Sequence, residues 1–128
     1  MSTRALYTFK DTDGGTFTVF KHWDGYPSGA YQFIQKALAY AWELPRFEAD
    51  DIGAAFIAGN KPKGGGDLRL INDATTNGDV LGIEFHYMIE PAGKRLKVTA
   101  RDLFNGTTLE PVYITADTIT APAEHLAA

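Results

Sequence analysis

The sequence predicts an α+β two-layer sandwich: a mostly antiparallel sheet with two helices packed on one face, in the order ββαα and then three or four further strands. Three observations predict it. Apolar and polar residues alternate with a period of two near both ends of the chain. Between residues 28 and 58 the apolar residues recur at helical spacing instead. Each strand-like stretch also shows one clean apolar face, the pattern of antiparallel strands covered on one side.

The elements follow in order. In 4–10, Ala5, Tyr7 and Phe9 alternate with Arg4, Thr8 and Lys10; the turn residues DTDGG follow, and 16–23 alternates again with Phe17 and Val19 inward. This is a β-hairpin with a somewhat long loop. From Ser28, a natural N-cap, Ala30, Ile34, Ala37, Leu38 and Ala41 form an apolar stripe that Tyr31, Phe33 and Trp42 widen, and Pro45 ends it. A second helix over 47–58 turns Ile52, Ala55 and Phe56 inward, has acidic residues in its first turn and closes at Gly59-Asn60. After the connection KPKGGGD come strands at 68–71, 80–90 and 95–103, with a last edge strand over 109–117. In the long strand Ile83, Phe85, Tyr87 and Ile89 share one face; Glu84, His86, Met88 and Glu90 share the other. Residues 1–116 read as a single domain and 117–128 as a frayed tail. The sheet's far face reads as polar and wet, with Phe20 and Met88 as its apolar members.

Composition narrows the function classes. The chain has 128 residues, 45% hydrophobic, enough for one domain with a core of its own. Cysteine is absent, which excludes disulfides, thiolate zinc sites and Cys nucleophiles. The net charge is −4 with no basic stripe, so nucleic acid is not an expected partner. The opening residues lack an apolar leader, and no apolar run approaches the roughly 18 residues needed to cross a bilayer. The expected location is the cytoplasm, away from membranes. No cofactor motif occurs: the glycines after Lys63 follow a helix and precede a strand, the reverse of a phosphate-binding loop, and no Lys-Ser or Lys-Thr follows them.

The stretch HWDGYPSG, residues 22–29, concentrates the candidate chemistry. His22 and Asp24 are two apart, and a carboxylate beside an imidazole raises its basicity. Glu84 and His86 form a second pair on one face. Convergence of the four would give a general acid–base or metal site. The competing reading is a hard corner: Asp24-Gly25 as a turn, Tyr26-Pro27 as an extended or cis step, Ser28 as the cap. That geometry leaves His22 and Trp23 unexplained. Trp23 and Tyr26, with Phe20, are the candidate binding residues, since Trp and Tyr are favoured anchors at interfaces.

The segments KHWDGYPSGAY, AAFIAGNKPKGGGDLRL and GDVLGIEFHYMI together resemble small proteins of bacteriophages and other bacterial mobile elements that carry a His-(Trp/Tyr)-Asp-Gly-Tyr-Pro box before a helix. The resemblance covers most of residues 1–90 and implies a genomic setting, with no mechanism attached. The expected function is that of a small phage- or prophage-type accessory protein acting by protein–protein binding, with an inhibitor of a host defence complex (anti-CRISPR-like) as one concrete form. The alternative is a small hydrolase or nucleotide-processing enzyme using His22, Asp24, Glu84 and His86. A homodimer formed through the polar face or an edge strand is a third reading.

Overall fold

The computed structural model describes residues 2–61, 65–71 and 82–120. The expected loop at 72–79, the start of the long strand and the end of the tail, with His125, lie outside the described residues. Within them the chain is an α+β fold. β1 (Ala5–Lys10) and β2 (Thr16–Lys21) lead into α1 (Pro27–Ala37) and α2 (Ala49–Asn60). Then come β3 (Leu68–Leu70), β4 (Phe85–Ala92), β5 (Arg95–Asp102), β6 (Thr107–Thr108), β7 (Val112–Ile114) and β8 (Ile119–Thr120). One sheet runs in the order β3-β2-β1-β4-β5-β7-β8, with β6 paired to β5. The expected last edge strand is not the edge: β7 pairs on its outer side with β8, so the sheet continues past residue 116.

All pairings are antiparallel except β1 with β4, where Ala5, Leu6, Tyr7 and Phe9 lie opposite Phe85, His86, Tyr87 and Ile89 in parallel. This puts β1 at the centre of the sheet, and every residue from Ala5 to Phe9 is buried. On one face Tyr7, Phe9, Val19, Tyr87, Ile89, Leu96, Val98 and Ile114 share a core cluster with Ala30, Tyr31 and Ile34 of α1 and Ile52, Ala55 and Phe56 of α2. The contact is aromatic at its centre: the Tyr7 ring lies 4.5 Å from Phe56 and 5.1 Å from Tyr87. Tyr31 meets Tyr87 edge-on at 6.1 Å. Phe17 lies beside Gly53 of α2 but is 53% exposed, against the expected burial.

The helices differ from the sequence reading at their ends. α1 begins on Pro27, whose fixed φ suits the first helical position, with extended Tyr26 as N-cap; Ser28 is inside the helix and caps nothing. The helix stops at Ala37, and three tight turns, closing on Gln35, Lys36 and Ala37 carbonyls, carry the chain away. Trp42 therefore belongs to no helical stripe; it is exposed and stacks on the Arg46 guanidinium at 3.7 Å. The start of α2 is capped from a distance: Asp11, in the β1–β2 turn, accepts the Ala49 N–H at 2.8 Å. Gly59-Asn60 is the last helical pair and not a cap beyond it; the Asn60 amide donates to the Phe33 and Phe56 carbonyls at 2.9 Å each, tying α2 to α1. The Tyr26-Pro27 bond is trans, and the cis proline bond among the described residues is Leu44-Pro45.

The far face is not simply wet. Leu6 and Phe20 pack with Ile83 into a second apolar cluster that Ile71 and Leu103 flank. Ile83 departs from the expected face because it precedes the strand, next to Gly82 at φ +66°. Beside this cluster a polar ladder crosses three strands: the Thr8 hydroxyl contacts the Thr18 hydroxyl and His86 Nε2, both at 2.8 Å.

Two predictions follow from these burials. Tyr7 and Tyr87 are both fully buried, but the Tyr87 hydroxyl donates to the Gly25 carbonyl, whereas the Tyr7 hydroxyl has no hydrogen-bond partner among the described residues. Burial pushes both phenols well above their ordinary range, so neither ionises at working pH. Tyr7→Phe removes an unsatisfied polar group and is expected to stabilise the fold by about 1 kcal/mol, while Tyr87→Phe orphans a carbonyl and costs about 1–2 kcal/mol. Urea unfolding of the two variants checks the opposite signs. His86 is held below its ordinary pKa of 6.5, first by burial and then by Arg101. A depressed folded-state pKa means that the unfolded chain takes up the proton first as pH falls, so stability is lost below about pH 6.5. Comparing unfolding midpoints at about pH 7.5 and about pH 5.5, His86→Gln should lose less stability over that interval than the parent.

Candidate functional site

β2 ends on Lys21, on the face it shares with Val19 and therefore pointing toward the helices. Its side chain is only 5% exposed. The ammonium donates to Asp67 Oδ2 at 2.7 Å and to the Trp23 carbonyl at 3.1 Å, and sits 4.3 Å from the centre of the Phe33 ring. Three directions around the cation are thus filled by a carboxylate, a carbonyl and an aromatic face, the environment a buried ammonium requires.

Asp67 is the counterpart. Besides Lys21 it receives the Trp23 N–H on Oδ1 at 3.2 Å, and its backbone carbonyl receives the His22 N–H at 2.8 Å. One residue at the entrance to β3 therefore fixes the exit from β2. The next steps of the corner are fixed from the other side. The Gly25 N–H donates to the Thr3 carbonyl at 2.8 Å, and its own carbonyl receives Tyr87. A Cβ at Gly25 would lie 2.6 Å from the Ala5 methyl and 2.7 Å from the Thr3 carbonyl oxygen, so the residue is required by close approach and not by a positive φ. Asp24 carries the unusual backbone, at φ +60°. Gly29 is also required: an added Cβ would stand 2.7 Å from the Asp24 carbonyl oxygen.

Between this corner, α1 and the end of α2 lies a cavity of about 330 Å³. Lys21, Trp23, Asp24, Lys36, Lys61 and Asp67 line it. Trp23 is 48% exposed and its indole is met edge-on by the His22 ring at 4.5 Å and 84°. Among the described residues neither the Asp24 carboxylate nor the Lys36 ammonium makes a hydrogen bond or ion pair.

The four residues expected to form a catalytic or metal site are not brought together. His86 lies across from Leu6, which lies across from Phe20. His22 is two residues beyond Phe20. At about 4.8 Å between strands and 3.4 Å per residue, the two histidine Cα atoms are about 12 Å apart. His22 is engaged with Trp23, His86 with Thr8, and Glu84 precedes β4 with its backbone N–H on the Arg4 carbonyl. No group of three His, Asp or Glu among the described residues could hold a metal ion. Neither His22, His86 nor Glu84 lines the cavity; of the four, Asp24 does. Phe20, expected at a binding surface, is buried at 4% exposure in the far-face cluster.

Sequence reasoning missed Lys21, Phe33, Lys36, Lys61 and Asp67. A signal for Lys21 was present: extending the alternation of Phe17 and Val19 by two residues puts a lysine on the buried face. Asp67 had a weaker one, as the acidic residue closing the glycine-rich stretch. No helix among the described residues is long and apolar enough to cross a membrane. No known family model, curated protein or solved structure matches this chain.

The ion pair has an asymmetry that can be measured. Lys21 is nearly sealed, whereas the Asp67 side chain keeps 24% of its exposure. Asp67→Ala strands a buried cation and is expected to cost about 3 kcal/mol. Lys21→Met leaves a carboxylate that water can reach and keeps the stem packed on Phe33, so it is expected to cost about 1 kcal/mol. Urea midpoints that rank Lys21→Met as the worse lesion would contradict this geometry.

Proposed function

We propose that the protein acts by binding and not by catalysis, docking on a partner protein through the corner at residues 22–29. The observation that carries this reading is a pair of large aromatic side chains, Trp23 at 48% and Tyr26 at 44% exposure, on a backbone immobilised from both sides by Asp67, Thr3 and Tyr87. Exposed aromatics are common; exposed aromatics held in one place are the kind of anchor that dominates binding energy, because little freedom is lost when a partner closes over them. The separation of His22 from His86 supports binding over the hydrolase alternative. A role as a bacteriophage or mobile-element accessory protein, with inhibition of a host defence complex as one form, agrees with the resemblance carried by the His-Trp-Asp-Gly-Tyr-Pro box.

The test uses the tagged full chain in a bacterial host lysate, with any retained partner identified and its affinity then measured directly. Trp23→Ala and Tyr26→Ala are each expected to weaken that affinity roughly thirtyfold, about 2 kcal/mol. Phe104→Ala removes another exposed aromatic, in the β5–β6 turn, and should leave affinity unchanged. Equal retention by all three variants, or no partner at any salt concentration, would remove the reading.

A further inference from the structure

We infer that the cavity behind Trp23 binds a free nucleoside monophosphate, with its base against the Trp23 indole, its phosphate beside Lys36 and Lys61, and its sugar or base donors on Asp24. This goes beyond docking and does not depend on it.

The charges of the cavity carry the argument. Lys21 and Asp67 satisfy each other at 2.7 Å and leave no net charge to recruit a ligand. Of the remaining groups, Lys36 and Asp24 are opposite in sign, line the same space and are not paired with each other. Lys61 Nζ, which donates to the Leu68 carbonyl at 3.2 Å, adds positive charge to the same lining. An occupant that matches both ends presents an anion to the lysines and hydrogen-bond donors to the carboxylate. Trp23 adds a third requirement. The indole is 48% exposed and lines the cavity, and every nucleobase has a π-face that stacks on an aromatic side chain.

Asp24 supplies an independent pointer. It is the non-glycine residue with a left-handed backbone among those described, at φ +60°. That backbone fixes where the side chain starts and sets the carboxylate at the cavity wall.

Size selects within the class. A volume of about 330 Å³ is at the lower end for a small-molecule site. A single nucleotide fills such a space, while inorganic phosphate leaves most of it to water. A nucleic-acid strand is disfavoured because the chain carries a net charge of −4 and has no basic groove to track a backbone.

Trp42→Phe leaves Trp23 as the only indole without touching the cavity, and its fluorescence then reports occupancy. Titration with the four nucleoside monophosphates should give saturable quenching below about 1 mM for at least one of them. In the same background Lys36→Ala, which gives up only a long contact of the ammonium with the Phe33 ring at 5.8 Å, and Asp24→Asn, which keeps the side chain's size, should each weaken binding about tenfold. Three results would overturn the assignment: no saturable quenching by any monophosphate; inorganic phosphate competing as well as the nucleotide; or a short single strand binding more tightly than its mononucleotide. Affinity indifferent to both Lys36→Ala and Asp24→Asn would place the nucleotide elsewhere and overturn it as well. Far-UV circular dichroism of each variant separates lost binding from lost fold.

Discussion

The corner at residues 22–29 depends on one buried ion pair. Lys21 ends β2 pointing into the layer between sheet and helices, where an ammonium cannot remain without partners. Asp67 neutralises it and, with its other carboxylate oxygen and its carbonyl, takes the Trp23 and His22 N–H groups. Pairs of this kind contribute little net stability, because desolvation offsets the attraction. This one sets position. It joins the last residue of β2 to the approach of β3 and to the first step of the corner, so the chain can leave the sheet in one direction only.

Once that exit is fixed, the rest of the corner follows from packing. Gly25 passes so close to Ala5 and Thr3 that no side chain fits, and Tyr87 reaches across the core to its carbonyl. Pro27 then starts α1. The same Tyr87 ring stacks against Tyr7, which stacks against Phe56, so the corner, the two central strands and both helices share one aromatic column. Trp23 is what this arrangement leaves outside. Its backbone is bound and its side chain is not covered, a combination that local turn chemistry alone does not require.

The fold class was legible because it rests on periodicity: the switch from two to 3.6 residues and back is written in the order of apolar residues. Element ends were less legible for a physical reason. α2 takes its cap from Asp11, 38 residues away, and α1 starts on a proline where a serine looked the better cap. The far face was misread for a similar reason. Alternation reports which residues differ across a strand, not whether the second face is covered. The parallel pairing of β1 with β4 places β1 centrally, and Leu6 and Phe20 then find Ile83 above them. That pairing joins residues about 80 positions apart and has no local signature.

The candidate site divides along the same line. HWDGYPSG marked a constrained corner, because glycines and proline at fixed places report backbone constraints that are local. The convergence of His22 and Asp24 with Glu84 and His86 does not occur. Two histidines and two acids suggest chemistry when counted along the chain, but sheet register sets His22, just past β2, and His86, on β4, on opposite sides of β1, each ring already engaged by a neighbour. The residues that do meet Trp23 and Asp24 come from β2, from both helices and from the approach to β3, and three of them are lysines in an acidic protein. A net charge of −4 describes the whole surface; it does not describe a concavity where Lys21, Lys36 and Lys61 meet Asp24 and Asp67. Local sign in a low-dielectric recess, not the sum over the chain, decides which ligands it favours.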